Sequence, residues 1–318
     1  MTFHWGIIGC GDISQRSVAP AIHSLDNCQL VAASRKDPTL KQACSQDLGV
    51  ETVFADWQEM VRQDNIDAIY VATPVFLHCK MVHAAAIAGK HVLCEKPMAM
   101  TTQECVRMID VCRSNQVHLG IAYYRHFFPV IDRIKSLIES GVIGDVVMIQ
   151  IDAFETFLPE KDHPRHWIME PDKSGGGCLM DFGCHRIEIL LNLFGKIRQV
   201  GGVTGNIYPQ YGVEDVAVTA LSFESGACGA ISLVRGGTSE KDTLFIQGTR
   251  GTIATEALNK GSIQITKKEG CREEKWSPHK NFHQPLIENF IQTIEENGSF
   301  AVNGQVGLEV HDIIAAIY

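Results

Sequence analysis

Long apolar runs are missing from this chain of 318 residues. The longest ones fall far short of the roughly 20 residues that cross a bilayer as a helix. Paired cysteine motifs are missing too. The 11 cysteines are odd in number and scattered, with no CxxC pair and no Cys/His spacing of a zinc site. Cys94, Cys105 and Cys112 sit in apolar periodic segments, so the set reads as reduced, mostly buried thiols. Nor is there a surplus of positive charge: 28 Lys and Arg stand against 37 Asp and Glu, a net charge of −9 at pH 7. That balance argues against non-specific binding to nucleic acid or to an anionic membrane. The opening residues leave no room for a secretory leader, because Phe3-His4-Trp5-Gly6-Ile7-Ile8 already reads as a strand. Repeats and low-complexity segments are absent. Together these features predict a cytoplasmic globular protein with no nucleic-acid partner, no membrane association and no metal site.

The bulk composition, 45% hydrophobic and 20% charged, is that of an ordinary globular protein. The length suits about two domains, enough to bury a core without metals or disulfides. Residues 1–122 alternate strand and helix patterns. Strands are expected over 5–8, 29–34, 66–73, 91–94 and 117–122. Helices are expected over 14–25, 39–48 and 77–88, and again after the capping box Thr101-Thr102-Gln103-Glu104. The run 66–73 is nearly continuous in apolar residues, as in a parallel sheet covered on both faces. Such alternation implies right-handed crossovers and a doubly wound α/β sheet.

The pattern changes afterwards. A helix over 129–140 stops at Gly141. Strand-like stretches then cover 146–154, 216–223, 227–234, 243–247 and 262–267, with Glu224-Ser225-Gly226 as a hairpin turn. Residues 123–318 are therefore expected to form an α+β domain with a large, mostly antiparallel open sheet. Helical segments near 282–296 and 305–318 close it.

Gly9-Cys10-Gly11-Asp12-Ile13-Ser14 follows the first strand and opens the first helix, the context of a dinucleotide-binding GxGxxG turn with Ser14 in the third glycine's place. Gly9 permits the tight turn, and Gly11 lets a pyrophosphate approach the backbone. Asp12 and Ile13 begin the helix, whose N-terminal N–H groups and dipole favour phosphate. Residues 1–122 are thus expected to be a Rossmann dinucleotide-binding domain. NAD sites place an acid about 20 residues beyond the glycines. Here the second strand ends instead in Ser34-Arg35-Lys36. Ser34 and Arg35 suit a 2′-phosphate, which predicts NADP(H) as the preferred cofactor with NAD(H) possible. The other reading of Arg35 and Lys36 is as solvated loop charges.

Two further segments carry chemistry. In Cys94-Glu95-Lys96-Pro97 a strand ends in a charged pair, and Pro97 stops ordinary pairing. Lys96 therefore lies at the carboxyl end of a strand, where open α/β sheets bind ligands. In Gly175-Gly176-Gly177…Asp181…His185, three glycines give a flexible approach to a helix that runs to Phe194. Asp181 and His185, four apart, share a helical face. A carboxylate beside an imidazole raises its basicity and fixes its tautomer, which makes an acid/base unit. A helix-stabilising pair is the plainer alternative. Arg125, Trp167 and His163 lie in segments expected to border the substrate.

These motifs resemble the glucose–fructose oxidoreductase / inositol dehydrogenase / MocA oxidoreductases. The resemblance rests on Gly6-Ile7-Ile8-Gly9-Cys10-Gly11, Thr73-Pro74, Cys94-Glu95-Lys96-Pro97, Tyr124-Arg125, Gly144-Asp145-Val146 and the segment from Gly175 to His185, in the family's order. It implies hydride transfer between a nicotinamide and a carbinol or carbonyl carbon of a sugar, polyol or cyclic diol. It implies Lys96, Asp181 and His185 as catalytic residues, and Thr73, Pro74, His78, Glu95 and Lys96 near the nicotinamide. It also implies a homo-oligomer, dimer or tetramer, built through the C-terminal sheet. Glu188 stands where many members have aspartate. A nucleotide-binding sensor without turnover and an NAD-dependent glycosidase with transient hydride transfer are the alternative functions.

Overall fold

The computed structural model describes residues 2–318. The chain forms two compact units. One runs up to Tyr124 and includes Asn281–His311; the other comprises Arg125–Lys280 and Asp312–Tyr318.

In the first unit, β1 (Phe3–Ile8), β2 (Cys28–Ser34), β3 (Thr52–Phe54), β4 (Ala68–Val71), β5 (His91–Cys94) and β6 (Leu119–Ile121) form one sheet in the order β3-β2-β1-β4-β5-β6. All neighbours are parallel. Every residue of β4 is buried, as the apolar run required. The helix Thr102–Ser114 starts where its capping box placed it. The Thr101 side chain accepts from the Glu104 N–H, and the Glu104 carboxylate reaches back to the N–H of Met100 at 3.0 Å. β3 and the helix Trp57–Val61 carry no clear sequence signal, because elements of three and five residues are too short to show a period.

This unit differs from an uninterrupted 1–122 block. The helix Gln284–Glu295 sets Phe290 against Trp5, ring centroids 5.8 Å apart, and Phe300 packs edge-on against Phe290 at 5.2 Å. The Ile121 N–H donates to the Val302 carbonyl at 2.9 Å, and Asn303 bridges Gly120. The segment thereby covers the β6 edge, which would otherwise present unpaired backbone groups.

The second unit is built on β7 (Val146–Glu155), β8 (Ile197–Gly205), β9 (Val216–Phe223), β10 (Cys228–Arg235), β11 (Lys241–Gly248), β12 (Gly251–Thr255), β13 (Ser262–Lys267) and β14 (Gly270–Lys275). Their order is β14-β13-β12-β11-β7-β10-β9-β8. All pairings are antiparallel except β7 with β10. The helix Cys184–Phe194 packs on this sheet, with Phe194 against Phe223 at 5.5 Å. The edge strands β8 and β14 are glycine-rich or charged and mostly exposed, so no buried face marks them in the sequence.

The reduced-thiol expectation fails for one pair: Cys10 and Cys44 are joined by a disulfide. The two lie 34 positions apart with no spacing motif to announce them. The other nine cysteines carry no disulfide. No helix among the described residues is long and apolar enough to cross a membrane.

Candidate active site

The phosphate turn follows β1. Gly9 has φ +102°, and a Cβ there would meet the Ala72 carbonyl oxygen at 2.4 Å. Only glycine allows this turn so close to the end of β4. A Cβ on Gly11, by contrast, would meet nothing within 4 Å, which leaves the backbone open to a ligand. Ser14 is buried, and its hydroxyl donates to the Gly9 carbonyl at 2.6 Å. It therefore fills the third glycine's place by pinning the turn. The N–H groups of Asp12 and Ile13 precede the first intrahelical bond, from Gln15 N–H to the Gly11 carbonyl, and so face outward from the helix start. The Asp12 side chain pairs with Arg16 at 2.7 Å. These features fit a dinucleotide pyrophosphate.

The end of β2 is held by its backbone. Ser34 is buried, and the Arg35 N–H donates to the Phe54 carbonyl at 2.9 Å. The nearest acid, Asp37, accepts from both the N–H and the hydroxyl of Thr39, at 2.9 and 2.7 Å. Both bonds end on Oδ1 and hold the carboxyl below its usual value.

β1, β4 and β5 are neighbours, with Val71 paired to both Ile8 and Cys94. Their carboxyl ends bring Gly9, Thr73, Glu95 and Lys96 to one rim, at the point where the strand order reverses. That is the ligand crevice of a doubly wound sheet. Thr73 and Pro74 are half-buried there. His78 is fully buried; its Nε2 lies 2.8 Å from the Thr73 carbonyl and its Nδ1 3.1 Å from that of Pro97. Burial holds this imidazole below its usual value, against the pull of the carbonyls. His78 therefore clamps the Thr73 turn to the residue after Lys96, and its ring does not reach the surface.

Glu95 is buried beside Lys96. It accepts from the Tyr70 hydroxyl at 2.7 Å and from the Lys96 N–H at 3.2 Å, and His283 Nε2 lies 3.5 Å away, at ion-pair distance. Burial alone would raise this carboxyl, but His283, Lys96 and Tyr70 together leave it below its usual value. Tyr124 packs on His283, ring centroids 4.8 Å apart.

In the second unit, Asp181 lies in a five-residue π-turn, Leu179–Gly183, that leads into the helix Cys184–Phe194. His185, in the first turn of that helix, is 3% exposed. The Asp181 carboxylate accepts from Arg235 Nη2. Arg235 is fully buried at the end of β10, with its guanidinium over the Phe182 ring at 5.4 Å. Burial would lower this guanidinium, but the charges of Asp181 and Glu155 raise it instead.

The glycine run is not a flexible approach. A Cβ on Gly177 would meet the Glu214 carbonyl oxygen at 1.8 Å, and one on Gly176 would meet the Tyr318 hydroxyl at 2.3 Å. The Glu214 carboxylate accepts the N–H groups of Gly177 and Leu179, at 2.7 and 2.9 Å, and the Tyr318 hydroxyl at 2.8 Å. It thus caps the turn that carries Asp181.

Arg125, Trp167 and His163 lie in three different settings. Arg125 and Arg186 grip the two oxygens of Asp242, at 2.7 and 2.6 Å. Arg125 is engaged as part of this ion triad. The two cations overcome burial and hold Asp242 below its usual value. Trp167 packs on a small core of Ile168, Met169 and Val213. His163 is exposed and sits edge-on to Phe157 at 5.3 Å, in the wall of a cavity of about 420 Å³. Glu188 is buried, 2.6 Å from His126 Nδ1, and burial raises its carboxyl despite that partner.

Arg235, Glu214, Tyr70 and His283 escaped the sequence reading. One signal existed: β10 alternates with buried residues at every second position, and Arg235 falls on the buried phase.

Residues 3–123 match an oxidoreductase family with an NAD-binding Rossmann fold, and residues 131–254 match the GFO/IDH/MocA C-terminal domain. With the glycine turn already described, this defines the class: an oxidoreductase that binds a nicotinamide dinucleotide. The chain belongs to the glucose–fructose oxidoreductase / inositol dehydrogenase / MocA family. It is similar to D-xylose 1-dehydrogenase (NADP(+)) 2 of Haloferax volcanii, 29% identical over 99% of this chain and 96% of that protein. It is also similar to myo-inositol 2-dehydrogenase of Thermotoga maritima, 25% identical over 95% and 91%. Among solved structures, levoglucosan dehydrogenase in complex with NADH and levoglucosan is 25% identical, with a TM-score of 0.90 over 100% of this chain and 96% of that one.

Proposed function

We propose that the chain oxidises or reduces a CH–OH carbon of a sugar, polyol or cyclic diol, with NADP(H) preferred and NAD(H) usable. The observation that carries this is Lys96 at the carboxyl end of β5, on the rim that also holds Gly9 and Thr73. The relatives named as xylose, inositol and levoglucosan dehydrogenases support the substrate class. Bound nicotinamide supplies the acceptor or donor of hydride. In oxidation His185 takes the hydroxyl proton, and in reduction it returns one. Lys96 has the role of a cation that stabilises negative charge developing on a substrate oxygen. Asp181 orients His185.

Gly9, Gly11, Asp12 and Ile13 take the pyrophosphate, and Ser34 and Arg35 the 2′-phosphate. Thr73, Pro74, Glu95 and Lys96 line the nicotinamide end, supported by His78 from behind. The second sheet's open face supports a homo-oligomer, because Val203 and Val218 face each other across β8 and β9 at 70% and 46% exposure. The proposed compartment is the cytoplasm, where nicotinamide nucleotides are at hand.

A panel of aldoses, inositols, other polyols and dihydrodiols, followed by nicotinamide absorbance with each cofactor, tests the reading. Lys96→Ala and His185→Ala should each lower turnover about a hundredfold or more while nucleotide binding is kept. Near-normal turnover in either variant rejects that residue's role. Tight nucleotide binding with no turnover on any substrate gives the case to a sensor.

A further inference from the structure

Cys10 stands between Gly9 and Gly11, and Cys44 stands in the helix Lys41–Leu48. Their Cα atoms are 6.0 Å apart with the sulfurs bonded, an ordinary disulfide separation. Both residues are buried, at 6% and 3% exposure. The closed loop contains all of β2 with Ser34 and Arg35. One bond therefore ties the pyrophosphate turn to the helix that follows the adenosine-ribose loop. A polar tie runs beside it: Gln15 Nε2 donates to the Cys10 carbonyl at 3.2 Å and to the Asp47 carboxylate at 3.0 Å. Asp47 lies on the same helix as Cys44. The tied form carries a turn fit for phosphate, with Gly9 at positive φ and open space over Gly11.

We propose that Cys10 and Cys44 are a redox-active dithiol site that sets the affinity of the nucleotide-binding turn. This rests only on the nucleotide-binding part of the reading above, not on the substrate or the catalytic residues. On oxidation each thiol gives up one proton and one electron as the S–S bond forms. Hydrogen peroxide is a sufficient oxidant: one molecule takes the two electrons and two protons and leaves as two waters. A small dithiol reverses the step, giving two hydrogens and closing into its own cyclic disulfide.

In the reduced form the sulfurs must part to ordinary contact, about 3.5–4 Å. Both side chains are buried at 6% and 3% exposure, so the parting sulfurs press on close-packed neighbours in the turn and the helix, which lose the bond that ties them. A pyrophosphate needs the Gly11 backbone close and correctly aimed. The oxidised form is preorganised and binds the nucleotide more tightly; the reduced form binds it more weakly.

The experiment measures NADPH and NADH affinity by nucleotide fluorescence, on protein treated with hydrogen peroxide and on protein reduced with dithiothreitol. A Cys228→Ser/Cys271→Ser background removes the two exposed thiols. Alkylation and peptide mass mapping report the state of Cys10 and Cys44 independently of any activity. The expected result is a Cys10–Cys44 linked peptide after peroxide and a Kd roughly three- to tenfold lower than in the reduced form. Cys44→Ser should match the reduced protein and ignore peroxide. Peroxide-treated protein with both thiols still alkylated overturns the proposal, as does a linked form whose Kd equals that of the reduced form. Failure of both forms to bind either nucleotide overturns the underlying nucleotide reading together with this one. Absence of turnover with normal binding touches only the proposed catalysis.

Discussion

Arg235 holds the carboxylate of Asp181 from a fully buried position. A charge at that depth is tolerable because the opposite charge faces it, so removing Arg235 takes from Asp181 the cation that donates to it. Arg235→Met should lower the unfolding free energy by ~3 kcal/mol and turnover by about tenfold or more. The acid limb of the turnover profile should also move to higher pH, because a carboxylate deprived of its cation takes up a proton more readily. Arg235→Lys should restore part of both. A lower Tm with an unmoved pH profile means that Arg235 serves only the fold.

The cofactor preference turns on Arg35. Arg35→Ala should weaken NADPH binding about tenfold and leave NADH binding nearly unchanged. Equal affinity of the unaltered protein for the two nucleotides removes the 2′-phosphate reading altogether.

Gly11 and Gly177 separate two uses of glycine. A methyl on Gly11 meets nothing within 4 Å, whereas one on Gly177 meets the Glu214 carbonyl at 1.8 Å. Gly11→Ala should therefore keep the Tm and lose nucleotide affinity. Gly177→Ala should lose roughly 1–3 kcal/mol of stability. Calorimetry and a binding titration on both variants decide it; a destabilised Gly11→Ala protein would contradict the open space at that position.

His91 predicts an acid-sensitive region in the first unit. Burial, then the neighbouring His118, pushes its imidazole down to about 4 from 6.5, with Asp67 opposing. Its Nδ1 accepts the His118 N–H at 3.1 Å, a bond that protonation there destroys. A depressed imidazole contributes stability fully above pH 6.5, and that contribution is lost as the pH falls through about 4. The Tm should fall across that window, and less steeply in His91→Asn, whose amide oxygen keeps the acceptor and does not titrate. Parallel Tm curves for the two proteins would show that His91 carries none of the effect.

Much of the fold could be read from local pattern. The runs 91–94, 216–223 and 262–267 are strands with those bounds, because their alternation or continuous apolarity is complete within a few residues. The turn at Gly9 to Ser14 was legible because its chemistry is contiguous. Pairings between distant residues were not. Arg235 with Asp181, His283 with Glu95 and Cys10 with Cys44 join positions 54, 188 and 34 apart. No local period encodes such pairs. The ion pair of Arg125 was hidden for the same reason, since its partner Asp242 lies 117 residues away.

The return of residues 281–311 to the first unit has a consequence for how the protein is made. Trp5 awaits Phe290, and the edge of β6 awaits Val302. On a ribosome delivering the chain from its N-terminus, the nucleotide-binding unit must wait, with an open flank, while the whole second sheet is synthesised. Fragments that end near residue 124 should emerge sticky and short-lived, and any graft of this unit onto another protein has to carry both pieces of chain.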